Sequence, residues 1–221
     1  MDITAQQMEL MHRHLELVIE QNKTLNLTRV STLEAGKVLH IEDSLAGVQE
    51  LLEAPQGAYA DLGSGGGFPG ITLSIATGRK VLLVDSVAKK MAAMERIARE
   101  LGLQDSVETY AGRIEDLSIQ RRGEFSVLTA RALTSLPSLI ELASPLLAPS
   151  GHLICYKSAQ YQDELDQACA IQQKVGMRYL SCRELELSDG TPRTIILFEK
   201  AGEPQVKLPR RPGMAQKRPY K

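Results

Sequence analysis

A chain of 221 residues with 43% apolar content, 24% charged content and a formal net charge of −1 reads as an ordinary globular domain, long enough to bury a sizeable core. No apolar run reaches membrane-spanning length, and the opening "MDITAQQMEL" lacks the basic start and apolar body of a signal peptide, which points to the cytoplasm. Cys155, Cys169 and Cys182 are odd in number and form no C-x-x-C, arguing for buried, unreactive thiols and against a disulfide framework or a metal site.

In chain order, the first element is a helix over residues 4–22. Thr4 and Gln7 have capping-box spacing, and Met8, Met11, Leu15 and Val18 recur at helical intervals. A second helical stretch covers 34–52. After "APQG" short apolar runs alternate with amphipathic ones, predicting strands at 58–62, 80–85, 106–110, 125–130, 151–157, 178–187 and 193–199. Helices fall between them at 70–77, 87–101, 135–147 and 160–175, with Val87, Met91, Met94, Ile97 and Leu101 as one buried stripe. The alternation predicts an α/β fold, a mostly parallel seven-stranded sheet with helices on both faces. No helical pattern separates the last two strands, so they pair as an antiparallel hairpin at one edge. The chain divides into a helical extension (1–52), an α/β domain (53–200) and a basic tail (201–221). From Lys207 onward the tail holds six basic residues and no acid, while the remaining 206 residues hold 20 basic against 27 acidic ones. Three prolines and a glycine keep that tail extended, and its charge suits a polyphosphate backbone.

The densest chemistry lies in "YADLGSGGGFPGITLSIA", where five glycines fall between positions 63 and 70, in the turn from the first strand into its helix. Open α/β sheets bind ligands at such turns. A triphosphate loop requires Gly-Lys-Ser/Thr, and no lysine lies between Gly57 and Arg79. The dinucleotide fingerprint fails when counted from Gly63, where Phe68 replaces the third glycine, but is complete as Gly65, Gly67 and Gly70, so it leaves two ligand classes open. Asp61 separates them: a carboxylate beside the turn repels a pyrophosphate and welcomes the ammonium and sulfonium of S-adenosylmethionine. Asp85, ending the second strand, is placed for ribose hydroxyls in either class.

The segments "DLGSGGGFPGITLSIA", "LLVDSVAKK", "AGRIED", "VLTARAL" and "ICYKS", with "LNLT" and "HIEDSL" upstream and "PRTIILFEK" and "LPRRPG" downstream, occur in an order that resembles the ribosomal RNA small-subunit methyltransferase G family, also called glucose-inhibited division protein B. The resemblance covers nearly the whole chain. It implies a Rossmann-like S-adenosylmethionine-dependent methyltransferase fold with an N-terminal helical extension. The implied reaction is methyl transfer to N7 of a guanine in 16S ribosomal RNA, near the decoding region. The residues agree with that chemistry. The Asn/Asp-Pro-Pro-Tyr/Phe segment of exocyclic-amine methylation is replaced by "TARALTSLP", and no Pro-Cys nucleophile for a pyrimidine carbon occurs. Guanine N7 exposes a lone pair, so alignment of the reacting atoms suffices.

By the same resemblance, Gly63, Gly65 and Phe68 contact the cofactor, Asp61 meets its methionine ammonium, and Asp85 with Ser86 meets its ribose. Ile114 and Glu115 hold the adenine edge. Arg131 stands at the cofactor–substrate junction and joins Arg113 and Arg193 on the active face. Lys89, Lys90, Lys157, Arg193, Arg210 and Arg211 face RNA. His40 and Asp43 lie in the family's "H-x-x-D-S", with His40 hydrogen-bonded and structural, and Asn26 is a loop or capping residue. Two positions depart from the family pattern: Leu39 replaces a basic residue, and "GMAQKRPY" is a more basic tail. With 4% aromatic content and no tryptophan, recognition falls to RNA shape and phosphate charge. The implied partner is 16S RNA or the small ribosomal subunit, met by a monomer without metal or membrane. The alternatives are a small-molecule S-adenosylmethionine-dependent methyltransferase, which leaves the tail and arginines unexplained, and a non-catalytic NAD-binding module, which Asp61 opposes.

Overall fold

Five short apolar runs, each ended by a glycine or a polar turn, become the parallel part of one seven-stranded sheet. In the computed structural model, which describes residues 2–220, the N-terminal elements are α1 (Ala5–Leu25), α2 (Leu33–Gly36), a π-helical turn (Lys37–Glu42), α3 (Asp43–Leu45) and α4 (Val48–Glu53). The domain follows as β1 (Ala58–Leu62), α5 (Gly70–Thr77), β2 (Val81–Asp85), α6 (Ala88–Glu100), β3 (Val107–Ala111) and α7 (Ile114–Gln120). Its second half is β4 (Phe125–Arg131), α8 (Leu136–Ala143), β5 (Leu147–Lys157), α9 (Gln162–Ile171), β6 (Met177–Glu186), β7 (Pro192–Lys200) and α10 (Met214–Lys217).

The strand order is β3-β2-β1-β4-β5-β7-β6, with β1 to β5 parallel and β7 antiparallel to both β5 and β6. The predicted antiparallel pair is thus present, with β6 at the sheet edge. Strands β1, β2 and β4 are buried on both faces, which explains their near-continuous apolar sequences. One face packs α7, α8 and α9 through Leu117, Leu139, Ile140 and Leu165; the other packs α1, α5 and α6 through Met11, Leu15, Ile71, Met91 and Met94. The chain leaves β1 toward β2 and β3, then returns to β4 on the other side. The connections therefore diverge at the C-terminal ends of β1 and β4, where a crevice opens.

Local departures from the expected elements have local causes. The reciprocal Thr4–Gln7 capping box starts α1, which runs to a left-handed Asn26 (φ 49°) instead of stopping at residue 22. The expected helix over 34–52 is interrupted twice, by the π-helical turn and by Gly47, whose missing side chain leaves room for the Tyr156 hydroxyl. That hydroxyl donates to the Ser44 carbonyl at 2.7 Å. Strand β5 starts at Leu147, which pairs with Phe125 before the register shifts ahead of the Val127–His152 pair. Val87 caps α6 from outside and is 44% exposed, so the buried stripe of that helix begins at Met91. Cys155 is buried, and burial pushes its thiol up to about 12, whereas Cys169 is half-buried and Cys182 exposed, against the expectation of uniformly buried thiols.

The basic tail is folded against the domain instead of extended. Arg210 makes a two-pronged bond to the buried Glu141 carboxylate at 2.7 and 2.6 Å and stacks on Tyr220. Ser138 donates to the Ala215 carbonyl, and Arg122 to that of Leu208. Lys221, the last basic residue of the tail, lies outside the described residues.

Candidate active site

The glycine turn takes its shape from backbone needs on both sides. Gly65 is left-handed (φ 53°), and its amide donates to Asp85 Oδ2 at 3.2 Å, tying the end of β1 to the end of β2. Gly70 opens α5 so close to the sheet that a Cβ there would stand 2.6 Å from Leu83 and 2.9 Å from Asp61. From behind, α1 supports the turn through His14, whose Nε2 bonds the Gly66 carbonyl at 3.0 Å. Burial holds His14 neutral, with its acid down at about 3. The Phe68 ring lies between two imidazoles, 4.4 Å from His14 and stacked 4.5 Å from His40.

Asp61 does not face the crevice. It is wholly buried, accepting from the Gly70 amide at 3.1 Å and from Thr129 Oγ1 at 2.7 Å, and burial pushes its acid up to about 7. The carboxylate fills the N-terminus of α5 from below, where the helix dipole would otherwise attract an anion. Its expected bond to a ligand ammonium is therefore corrected. The argument against a pyrophosphate at this turn remains, for a different reason: a protein carboxylate already occupies the anion position.

Opposite the turn, β4 ends in Arg131. One guanidinium nitrogen donates to the Leu39 carbonyl at 3.0 Å and Asp43 Oδ2 at 2.8 Å; the other donates to His40 Nδ1 at 3.1 Å. Arg193, on β7, donates from Nε to Asp43 Oδ1 at 2.6 Å. Asp43 thus gives one oxygen to each arginine, and its side chain is 4% exposed. Because an arginine only donates, His40 Nδ1 must accept, so Nε2 carries the proton and donates to Thr28 Oγ1 at 2.6 Å. Burial, then the Arg131 charge, lowers the His40 acid to about 4. Neither imidazole nitrogen is free to remove a proton.

These groups border one crevice of about 1300 Å³, ample for a nucleoside donor together with a flipped base. Of the expected site residues it gathers Gly63, Gly65, Phe68, Asp85 and Ser86 on the β1–β2 side. Lys90, Arg131, Lys157 and Arg193 complete the rim. Asp85 is held by the Gly65 amide and by the Val87 amide at 2.9 Å, and each oxygen keeps a lone pair for a hydroxyl. An apolar ring, a fixed carboxylate and a helix end closed to phosphate suit a cationic nucleoside such as S-adenosylmethionine. Among the described residues no cluster of potential metal ligands occurs, and no helix is long and apolar enough to cross a membrane.

Other expected residues stand elsewhere. Ile114 is core, packed beneath the sheet, and the buried Glu115 spends Oε1 on the Gly213 amide of the tail at 2.7 Å. The first turn of α7 rolls both side chains inward, so neither side chain borders the crevice. Arg113 occupies the N-cap position of that helix without a side-chain cap bond, its side chain exposed outside the crevice, and Lys89 is exposed on α6 one step from Lys90 without bordering it. Arg210 is spent on Glu141, and Arg211 lies beside Glu115 and Glu141 on the tail's own contact. Sequence reasoning missed the wall contributed by Thr28, Arg29 and Val30, and missed Tyr156, Gln160 and Glu164 on the far side. The loop after α1 could have signalled its part: a left-handed Asn26 turns the chain so that Leu27 packs against Gly66.

A mostly parallel sheet with this order, a glycine turn at the switch point and a carboxylate within the last two residues of each of the first two strands define the open α/β methyltransferase class. Its solved members include the O-methyltransferase of Bacillus cereus in complex with SAH, at TM-score 0.58 and 18% identity over 85% of this chain and 90% of that one. A SAM-dependent methyltransferase of Methanosarcina mazei aligns at TM-score 0.57 and 18% identity, over 70% and 98%. These likenesses concern the fold. The family model described as GidB, rRNA small subunit methyltransferase G, matches residues 7–189. Ribosomal RNA small subunit methyltransferase G of Streptococcus sanguinis (strain SK36) is 33% identical over 99% of this chain and 93% of its own length. That of Lactococcus lactis subsp. lactis (strain IL1403) matches at the same identity and coverage. The chain belongs to the GidB family.

Proposed function

We propose that this protein transfers the methyl group of S-adenosylmethionine to N7 of a guanine in 16S ribosomal RNA. The observation that carries the reading is the arginine cluster at the crevice: Asp43 neutralises one of two guanidinium charges, and His40, held neutral with both nitrogens engaged, offers no base. N7 needs none. S-adenosylmethionine supplies a methyl on a sulfonium, a leaving group that departs neutral. The protein's part is to hold the acceptor in line and exclude water.

In this reading Gly63, Gly65 and Phe68 form the cofactor floor, with Asp85 and Ser86 at the ribose and Arg131 at the junction. Contact at Ile114 and Glu115 falls to main-chain atoms, since their side chains are committed elsewhere. Lys90 and Arg193 take RNA phosphates. The protein acts as a cytoplasmic monomer; its exposed large apolar residues, Leu33, Leu52, Val87, Ile119 and Leu180, come from separate elements. The helical extension (1–52) serves the α/β domain (53–200) as a wall of the crevice, and the tail (201–221) serves as a strap.

Transfer of tritiated methyl to small-subunit RNA from a strain lacking this protein, followed by nuclease mapping, tests the reading. A single 7-methylguanine is expected. Label at another atom, or in a metabolite extract instead of RNA, overturns it.

A further inference from the structure

We propose that Glu164 and Lys157, paired where β5 leaves the sheet, read the O6 and N1–H groups of the base that is methylated. The inference rests on the reading of that base as guanine. Three carboxylates border the crevice. Asp43 has an arginine on each oxygen, and Asp85 is fixed by turn amides on the Gly65 side. Glu164 differs. Its Oε2 accepts from the Leu136 amide at 2.8 Å and from Lys157 Nζ at 2.6 Å, while Oε1 receives no donor among the described residues. The side chain is 35% exposed, so the carboxylate is both held and reachable.

Lys157 is the matching half. Its ammonium donates to the Thr134 carbonyl at 2.9 Å and to Glu164, leaving the third of its N–H groups uncommitted. One free donor and one free acceptor therefore stand side by side, fixed by bonds to α8, to the loop after β4 and to each other. On a guanine ring O6 lies next to N7, and N1–H follows it, an acceptor beside a donor. Adenine reverses the order, with an amino donor and an N1 acceptor, so the pair would meet it donor to donor and acceptor to acceptor. Sites built this way discriminate strongly, because the wrong partner leaves desolvated groups unpaired. A purely structural Glu164, capping α8 and neutralising Lys157, would not distinguish bases.

The test uses the full-length protein with 16S RNA ligated to carry guanosine, inosine or 2-aminopurine riboside at the target position. Inosine keeps O6 and N1–H; 2-aminopurine lacks both. Rates are corrected for the reactivity of each free nucleoside toward a small methylating agent. The wild type is expected to methylate guanosine and inosine alike and to disfavour 2-aminopurine by about 10- to 100-fold in kcat/KM. Glu164→Ala is expected to bring that ratio close to one, whereas a structural role would lower all three rates together. Equal use of 2-aminopurine by the wild type, which needs no variant to fold, overturns the inference, as does an unchanged ratio in Glu164→Ala. Failure of the wild type to form 7-methylguanine on the guanosine RNA defeats the parent reading, and this inference with it.

Discussion

Two arginine–carboxylate clusters in this protein are built from the same parts and do opposite things. At the crevice, Asp43 divides its two oxygens between Arg131 and Arg193, so two positive charges share one negative one. At the tail, Glu141 gives both oxygens to Arg210 alone, which also donates to the Arg218 carbonyl. The first cluster keeps an unneutralised charge beside an open cavity; the second pairs one positive charge with one negative and lies outside that cavity. Stoichiometry, more than burial, separates a surface that receives an anion from a clasp that closes the chain. Both carboxylates are almost fully buried.

Removing the shared carboxylate at the crevice is expected to have the largest effect. Asp43→Ala leaves two largely covered arginines without their common partner, and a cost of about 3–5 kcal/mol in unfolding free energy is expected. Methyl transfer should fall by about 100-fold or more, because Arg131 and Arg193 lose their orientation. Chemical denaturation and kcat/KM on RNA read the two effects. Transfer within a few-fold of wild type would mean that the arginines are positioned by other contacts.

Glu141→Ala makes the corresponding cut at the tail. A loss of about 2–4 kcal/mol is expected, together with trypsin cleavage after Arg210, now released from the domain (the Arg211–Pro212 bond resists trypsin). Transfer should stay within an order of magnitude of wild type, since no side chain of this cluster borders the crevice. A collapse in activity as deep as that of Asp43→Ala would mean that the strap shapes the site through its Gly213–Glu115 bond. Salt dependence draws the same contrast with less disturbance. Arg193→Ala should reduce the slope of log affinity for RNA against log salt by about one, while Arg210→Ala should leave it unchanged.

The sequence discloses one of these clusters no better than the other. The strand–helix alternation, the antiparallel edge pair, the glycine turn and Arg131 at a strand end are legible, because apolar runs, glycine density and strand termini are local signals. The partners of Arg131 are not: Asp43 lies 88 residues away and meets Arg193 across 150. A basic tail looks solvated or RNA-bound until Glu141, 69 residues back, is found beneath it. Ile114 and Asp61 show the same limit in one dimension. A residue at or just after the end of a strand can point into the crevice or under the helix that follows, and only the packing of Gly70 on the sheet decides for Asp61.

Asp61 is a further buried carboxylate, and it is bonded to no arginine. Burial raises its acid from an ordinary 3.8 to about 7, so between those values the folded protein holds a proton that the unfolded chain has lost. Its contribution to stability is full below about pH 4 and is lost as pH rises through about 7. His14 and His40 run the other way: with acids lowered from 6.5 to about 3 and about 4, their contributions are present above 6.5 and lost as pH falls through those depressed values. On acidification from pH 7.5 to 5.5 the wild type therefore feels opposing slopes, gaining from Asp61 and losing from the two histidines. Asp61→Asn keeps an oxygen for the Gly70 amide but removes the gain. Its Tm should fall more steeply over that interval than the wild type's, by roughly 2–5 °C. Parallel Tm–pH curves would mean that Asp61 stays ionised beneath α5, its charge held by the helix dipole as firmly as Asp43 and Glu141 are held by arginine.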